Sequence, residues 1–227
     1  VRLTSQLARR LGLRVNYRYD DRDNDTPREV YPYIGADSQD QRLYEEGRIN
    51  LPYSYTRSEI DAVATWRLPK AIRLKAGMEY NDIDRDYQEV AHSNEFAWLA
   101  GISLRGWSMG SLNFDFRSSD RDISRYNSNV PLVASHIPGA IGQDEWENHP
   151  LLRKYFLTDR DRDEYRLRAD LFPVPELNFG FAMSYAKDKY DDQFLGLNSA
   201  RVKSWTVDGG WNPRDDISLT GFYTHEK

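Results

Sequence analysis

Apolar and polar side chains alternate with a period of two along most of this sequence, and few folds accommodate that pattern. In the stretch 11–20, Leu11, Leu13, Val15, Tyr17 and Tyr19 fall on one face of an extended chain, and Arg14, Asn16, Arg18 and Asp20 on the other. The pattern returns with Ile72, Leu74, Ala76, Met78 and Tyr80 set against Arg73, Lys75, Gly77, Glu79 and Asn81. It returns again with Leu112, Phe114 and Phe116 against Asn113, Asp115 and Arg117, and with Leu177, Phe179, Phe181, Met183 and Tyr185 against Asn178, Gly180, Ala182 and Ser184. A weaker copy has Ile217, Leu219 and Tyr223 against Ser218 and Thr220. A partner with the same two faces precedes each, beginning at Val1, Ile60, Phe96, Tyr165 and Trp205, with Arg166, Arg168 and Asp170 on the polar side of the fourth. The spacing predicts about ten antiparallel strands joined as five hairpins.

The connections alternate in length. Tight turns rich in Pro, Gly and Asn sit at 8–10, 69–70, 105–109, 173–176 and 212–215, whereas the opposite ends open into polar loops over about 22–55, 84–93, 120–161 and 188–200. One short rim, one long rim and strands of about ten residues make up the pattern of a transmembrane β-barrel, which must close because backbone groups facing lipid have no water to pair with. Aromatic placement agrees. Trp66, Trp107, Phe172 and Trp211 gather at the tight-turn end, and Tyr17, Tyr19, Tyr80, Phe96, Trp98, Tyr165, Tyr185 and Tyr223 toward the other, as two girdles around an aliphatic middle. A soluble β-sandwich also alternates, but it has no reason for charge on nearly every polar face or for long loops on one side only.

Composition limits the chemistry. Apolar residues make up 39%, charged residues 30% and the mean hydropathy is -0.78, which excludes a helix built to sit in lipid, while 13% aromatics argue against disorder. Zero Cys removes disulfides, thiolate metal sites and covalently attached haem c, so the chain is expected to carry no such cofactor itself. A formal charge of -5 with interleaved signs leaves no basic footprint for nucleic acid. The chain begins at Val1 without a signal-peptide pattern and reads as a mature or partial chain.

The polar face places Arg14, Arg18, Arg73, Lys75, Glu79, Asp115, Arg117, Arg166, Arg168 and Asp170 in a lumen, as candidate contacts for whatever occupies it; their mixed signs favour neither cations nor anions strongly. The same face carries Gly77, Ala97, Gly101, Ser103, Gly180, Ala182, Ser184 and Gly210, which leave room for a bulky protein occupant or ease strand curvature. Asp-rich runs recur at the strand exits, at 20–25, 82–86, 120–122, 159–163 and 188–192; among them Asp20, Asp23, Asp25, Asp84 and Asp86 are weak candidate Ca²⁺ ligands, although no run supplies a full twelve-residue Ca²⁺ loop. His92, His136, His149 and His225 fall in loops or at the rim, where exposure is the default, and no nucleophile–base spacing supports an enzyme.

Several segments carry a family resemblance. They are 17–27 (YRYDDRDNDTP), 50–55 (NLPYSY), 74–89 (LKAGMEYNDIDRDYQE) with the following 94–98 (NEFAW), and 116–122 (FRSSDRD). Dense over about 11–122 and looser beyond, the chain resembles the decahaem-associated outer-membrane β-barrels of the MtrB/PioB family. That resemblance implies a porin sheath in the bacterial outer membrane that holds a periplasmic multihaem cytochrome c, meets an extracellular multihaem cytochrome at the long-loop rim, and supports electron transfer to the cell exterior. Haem c then belongs to the partner. Barrels of this family have more than twenty strands, so the chain is expected to be part of a larger one, its C-terminal-side portion. A general diffusion porin and a surface adhesin are the competing expectations.

Overall fold

The computed structural model describes residues 1–32, 47–107, 109–142, 145–191, 194–214 and 216–227, with Gly106 and Trp107 described in backbone only. Ten long strands form one antiparallel sheet: β1 Arg2–Ala8, β2 Leu11–Arg22, β5 Tyr55–Leu68, β6 Ile72–Arg85, β7 His92–Trp107, β8 Gly110–Ile123, β9 Arg160–Val174, β10 Leu177–Tyr190, β11 Ser199–Arg214 and β12 Ile217–Glu226, in that spatial order. A two-residue ladder, β3 Val30–Tyr31 with β4 Arg48–Ile49, lies in the first long connection. A one-turn helix α1, Val130–Ala134, and a 3₁₀ turn, Tyr155–Leu157, lie in the third. Every long strand pairs with its chain neighbour, so the sheet is a meander.

Register turns alternation into two faces, because residues directly opposite in an antiparallel pair point the same way. One row runs Leu11, Trp66, Leu74, Ile102, Phe114, Leu167, Met183, Trp205 and His225 from β2 to β12. It is apolar until its last member. It starts at the first residue of β2 and ends next to the last residue of β12, so the strands are tilted against the hydrogen-bonding direction, as a barrel wall requires.

Among the described residues, nothing packs on the apolar face. Trp66, Trp98 and Trp211 are 52%, 62% and 51% exposed, and Met78, Phe179 and Val207 nearly as much. An exposed apolar face of this extent is untenable in water and suits hydrocarbon. The strands therefore form an all-β transmembrane barrel wall. The sheet is open, with β1 and β12 each paired on one side only.

Strands run past the alternating stretches. β6 continues through Asp82 and Asp84 to Arg85, β7 begins at His92, β8 extends through Asp120 and Asp122, and β9 takes in Asp161 and Asp163. The Asp-rich exits that the sequence places at loop starts are thus ladder-paired for most of their length. Beyond the apolar band both faces are polar, so alternation fades while hydrogen bonding continues.

Candidate functional site

The charged face is the concave one. Side chains from β1 and β2 at one side of the sheet and from β8 and β9 toward the other line a single cavity of about 840 Å³. All ten charged candidates, Arg14, Arg18, Arg73, Lys75, Glu79, Asp115, Arg117, Arg166, Arg168 and Asp170, lie on this inner face.

In the loop-side half, charges pair across strands. Arg117 on β8 donates from Nε to Glu79 on β6 at 2.9 Å, from Nη2 to Glu95 on β7 at 2.9 Å and from Nη1 to Ser119 at 2.9 Å. Glu95 also accepts from Arg160 Nη2 on β9 at 2.9 Å. Arg160 and Arg162 approach Asp188 on β10 at 3.9 and 3.6 Å. Farther along, Arg168 bridges Asp170 at 2.7 Å and Asp208 on β11 at 2.6 Å. Glu95 and Asp208, the hubs of these contacts, are not among the sequence candidates. Only the register shows that they face Arg117 and Arg168.

The small residues have a third use besides the two the sequence left open. A Cβ at Gly101 would lie 2.6 Å from Asp115 Oδ1, and one at Gly180 would collide with both Arg168 and Asp208. Asp115 crosses over Gly101 to reach Lys75 at 3.2 Å, and the Arg168–Asp208 pair crosses Gly180. Glycine there lets long charged side chains lie flat along the wall.

Outside, the aromatics follow the register. Tyr17, Tyr19, Tyr80, Trp66, Trp98, Tyr165, Tyr185 and Trp211 share the outer face, where Phe116, Tyr165 and Tyr185 form a contiguous row with ring centroids 5.0 and 6.0 Å apart. Phe172 stands exposed at a break in the β9–β10 register. The side chain of Trp107 lies outside the described residues.

The five Ca²⁺ candidates do not come together in one donor set among the described residues; Asp84 alone of them joins one. Asp20 accepts from Tyr55 at 3.2 Å on the inner face, and Asp23, Asp25 and Asp86 join no cluster of donors among the described residues. The close donor set among the described residues is Asp82, Asp84 and His92 on the outer face. There His92 already stands between the two carboxylates, with Nδ1 3.0 Å from Asp84 and Nε2 3.5 Å from Asp82.

The long connections pack on one another. Val90, Leu132, Leu157, Ser135 and Thr158 are buried there. His136 is 3% exposed with Nδ1 2.7 Å from the Leu132 carbonyl, which corrects the expectation of an exposed loop histidine. Ile49 N donates to Ser135 O at 2.7 Å and Arg48 pairs with Glu147 at 3.0 Å, which ties the first connection to the third. Lys154 reaches Glu89 at 2.7 Å; burial works against its charge, yet the Glu89 carboxylate holds the ammonium above its ordinary range.

A tilted antiparallel wall, apolar and aromatic outside, charged inside and with long connections at one rim, defines an outer-membrane β-barrel of the porin class. The chain belongs to the MtrB/PioB family, described as outer membrane beta-barrel porin, whose pattern it matches over residues 1–227. It is 24% identical over 229 aligned positions to "Outer membrane protein MtrB" of Shewanella baltica (strain OS185). That alignment covers 100% of this chain and 30% of the relative, so the chain spans about a third of the length of the curated relative it matches.

Proposed function

We propose that this chain is part of a porin sheath that holds a periplasmic multihaem c-type cytochrome and supports electron transfer across the outer membrane to the cell exterior. The short turns then face the periplasm, and the packed long connections form the extracellular rim that meets a second multihaem cytochrome. The carrying observation is the shape of the inner wall. Over Gly101 and Gly180 the Lys75–Asp115 and Arg168–Asp208 pairs lie flat along the wall, which supports a lumen with room for a protein. These 227 residues hold no Cys and so offer no attachment point for haem c, in line with a reading in which the occupant carries it. The barrel's contribution is insulation and positioning, and it carries out no chemical step of its own.

The test is purification of the full-length protein from its native outer membrane, followed by haem staining and by electron transfer across liposomes. A haem-staining partner and electron passage are expected. A haem-free barrel that conducts small solutes freely overturns the reading in favour of a diffusion porin.

A further inference from the structure

We infer that the turn-side half of the inner wall is a docking surface for an acidic face of the protein held in the barrel. This rests on the sheath reading above and specifies the chemistry of the occupant.

Eight of the side chains lining the 840 Å³ cavity are Arg or Lys and three are Asp or Glu. Each of the three carboxylates is already taken: Glu79 by Arg117, Asp115 by Lys75 and Glu164 by Arg166. That leaves Arg10, Arg14, Arg67, Arg73 and Arg105 with no carboxylate partner among the described residues. The chain as a whole carries a formal charge of -5, so this surplus of cations is local and runs against the average.

Register sharpens the point. Arg67 and Arg73 are directly opposite each other on β5 and β6, both exposed and both on the inner face. Like charges directly opposite are destabilising, and no carboxylate bridge among the described residues offsets this pair. Elsewhere on the same face Arg117, Arg160 and Arg168 are each answered by a carboxylate of another strand. One wall thus contains arginines that are neutralised across strands and a cluster near the turns that awaits negative charge.

Spread distinguishes a protein from a small anion. Arg14, Arg67, Arg73 and Arg105 stand on four successive strands, and at a spacing of about 4.8 Å per strand they extend over roughly 15 Å. A phosphate-sized anion engages two or three guanidinium groups, whereas an acidic protein face engages all of them through forked carboxylate contacts.

The experiment uses the full-length protein isolated with its haem-staining partner, with haem retained on the immobilised barrel followed as NaCl is raised. Arg14→Gln/Arg67→Gln/Arg73→Gln is compared with wild type and with Lys187→Gln/Arg201→Gln/Lys203→Gln, which removes the same charge from the outer face. Heat-modified gel mobility verifies that each barrel is folded. The inner-face variant is expected to bind its partner roughly tenfold more weakly at 0.15 M salt, with the gap closing near 1 M, where screening is complete within about 3 Å. Arg67→Lys/Arg73→Lys, which keeps the charge and loses the fork, retains more haem than the glutamine variant, and the outer-face variant matches wild type. Equal retention by the inner-face variant and wild type at every salt concentration overturns this inference alone. A wild-type barrel that never carries a haem-staining protein overturns the sheath reading and this one with it. An empty barrel whose preference for anions is lost in the inner-face variant makes the arginines an ion filter and also overturns it.

Discussion

Glu95 illustrates how single residues sustain the inner wall. Its carboxylate accepts from two arginines of two neighbouring strands, and its side chain is only 14% exposed, so removal of its charge strands both partners in a half-buried position. Glu95→Gln is expected to destabilise the full-length barrel by about 1–3 kcal/mol in urea titrations. Arg166 pairs with Glu164 but is 71% exposed, and Arg166→Gln is expected to stay within about 0.5 kcal/mol of wild type. Equal losses in the two variants refute the network as the source of stability. Gly101 gives the complementary test: Gly101→Val displaces Asp115 and frees Lys75, so it should lower the temperature of heat-modified mobility, and truncation of Lys75 in the same background should add little.

At the scale of a strand, the two faces make opposite demands on substitution. Ala100 sits in the outer row between Ala76 and Phe116, while its neighbour Leu99 faces inward between Gly77 and Arg117. Ala100→Arg is expected to cost about 2–4 kcal/mol when the full-length barrel folds into lipid vesicles, because the guanidinium meets hydrocarbon. Leu99→Asn should be tolerated, since it enters a wet, polar lumen. Reversal of that order means the faces are misassigned. Among the connections, the Lys154–Glu89 pair straps the third long connection to the second. With Lys154 held above its ordinary value, the strap is fully present below about pH 10 and is lost as pH rises through the raised value. Lys154→Met should therefore speed cleavage of the 124–159 connection by a constant factor from pH 7 to 9, and that factor should shrink only above about pH 10.5.

The whole wall is open, and its two edges decide how the chain behaves. β1 and β12 leave a row of backbone donors and acceptors unpaired, which hydrocarbon does not tolerate. Residues 1–227 alone should give no heat-modifiable, protease-resistant barrel in vesicles, while the full-length protein should. A closed barrel formed by the ten strands alone refutes the larger wall. Strand number, strand order and the two faces were legible from residues 11–20 onward, because lipid on one side and water on the other impose a period of two that any reader of the chain can recover. Strand ends were not, because β6 and β8 continue into Asp82–Arg85 and Asp120–Ile123, where both faces are polar and the period vanishes. Nor was the burial of His136, which depends on the mutual packing of the connections. Sequence by itself determined a membrane-spanning β-wall with a charged inner face, since local alternation is a property of neighbouring residues. Which charges neutralise one another and which arginines remain unanswered was decided by tertiary structure alone. Register and shear bring Glu79, Glu95, Arg117 and Arg160 from four strands to one spot, and set Arg67 against Arg73.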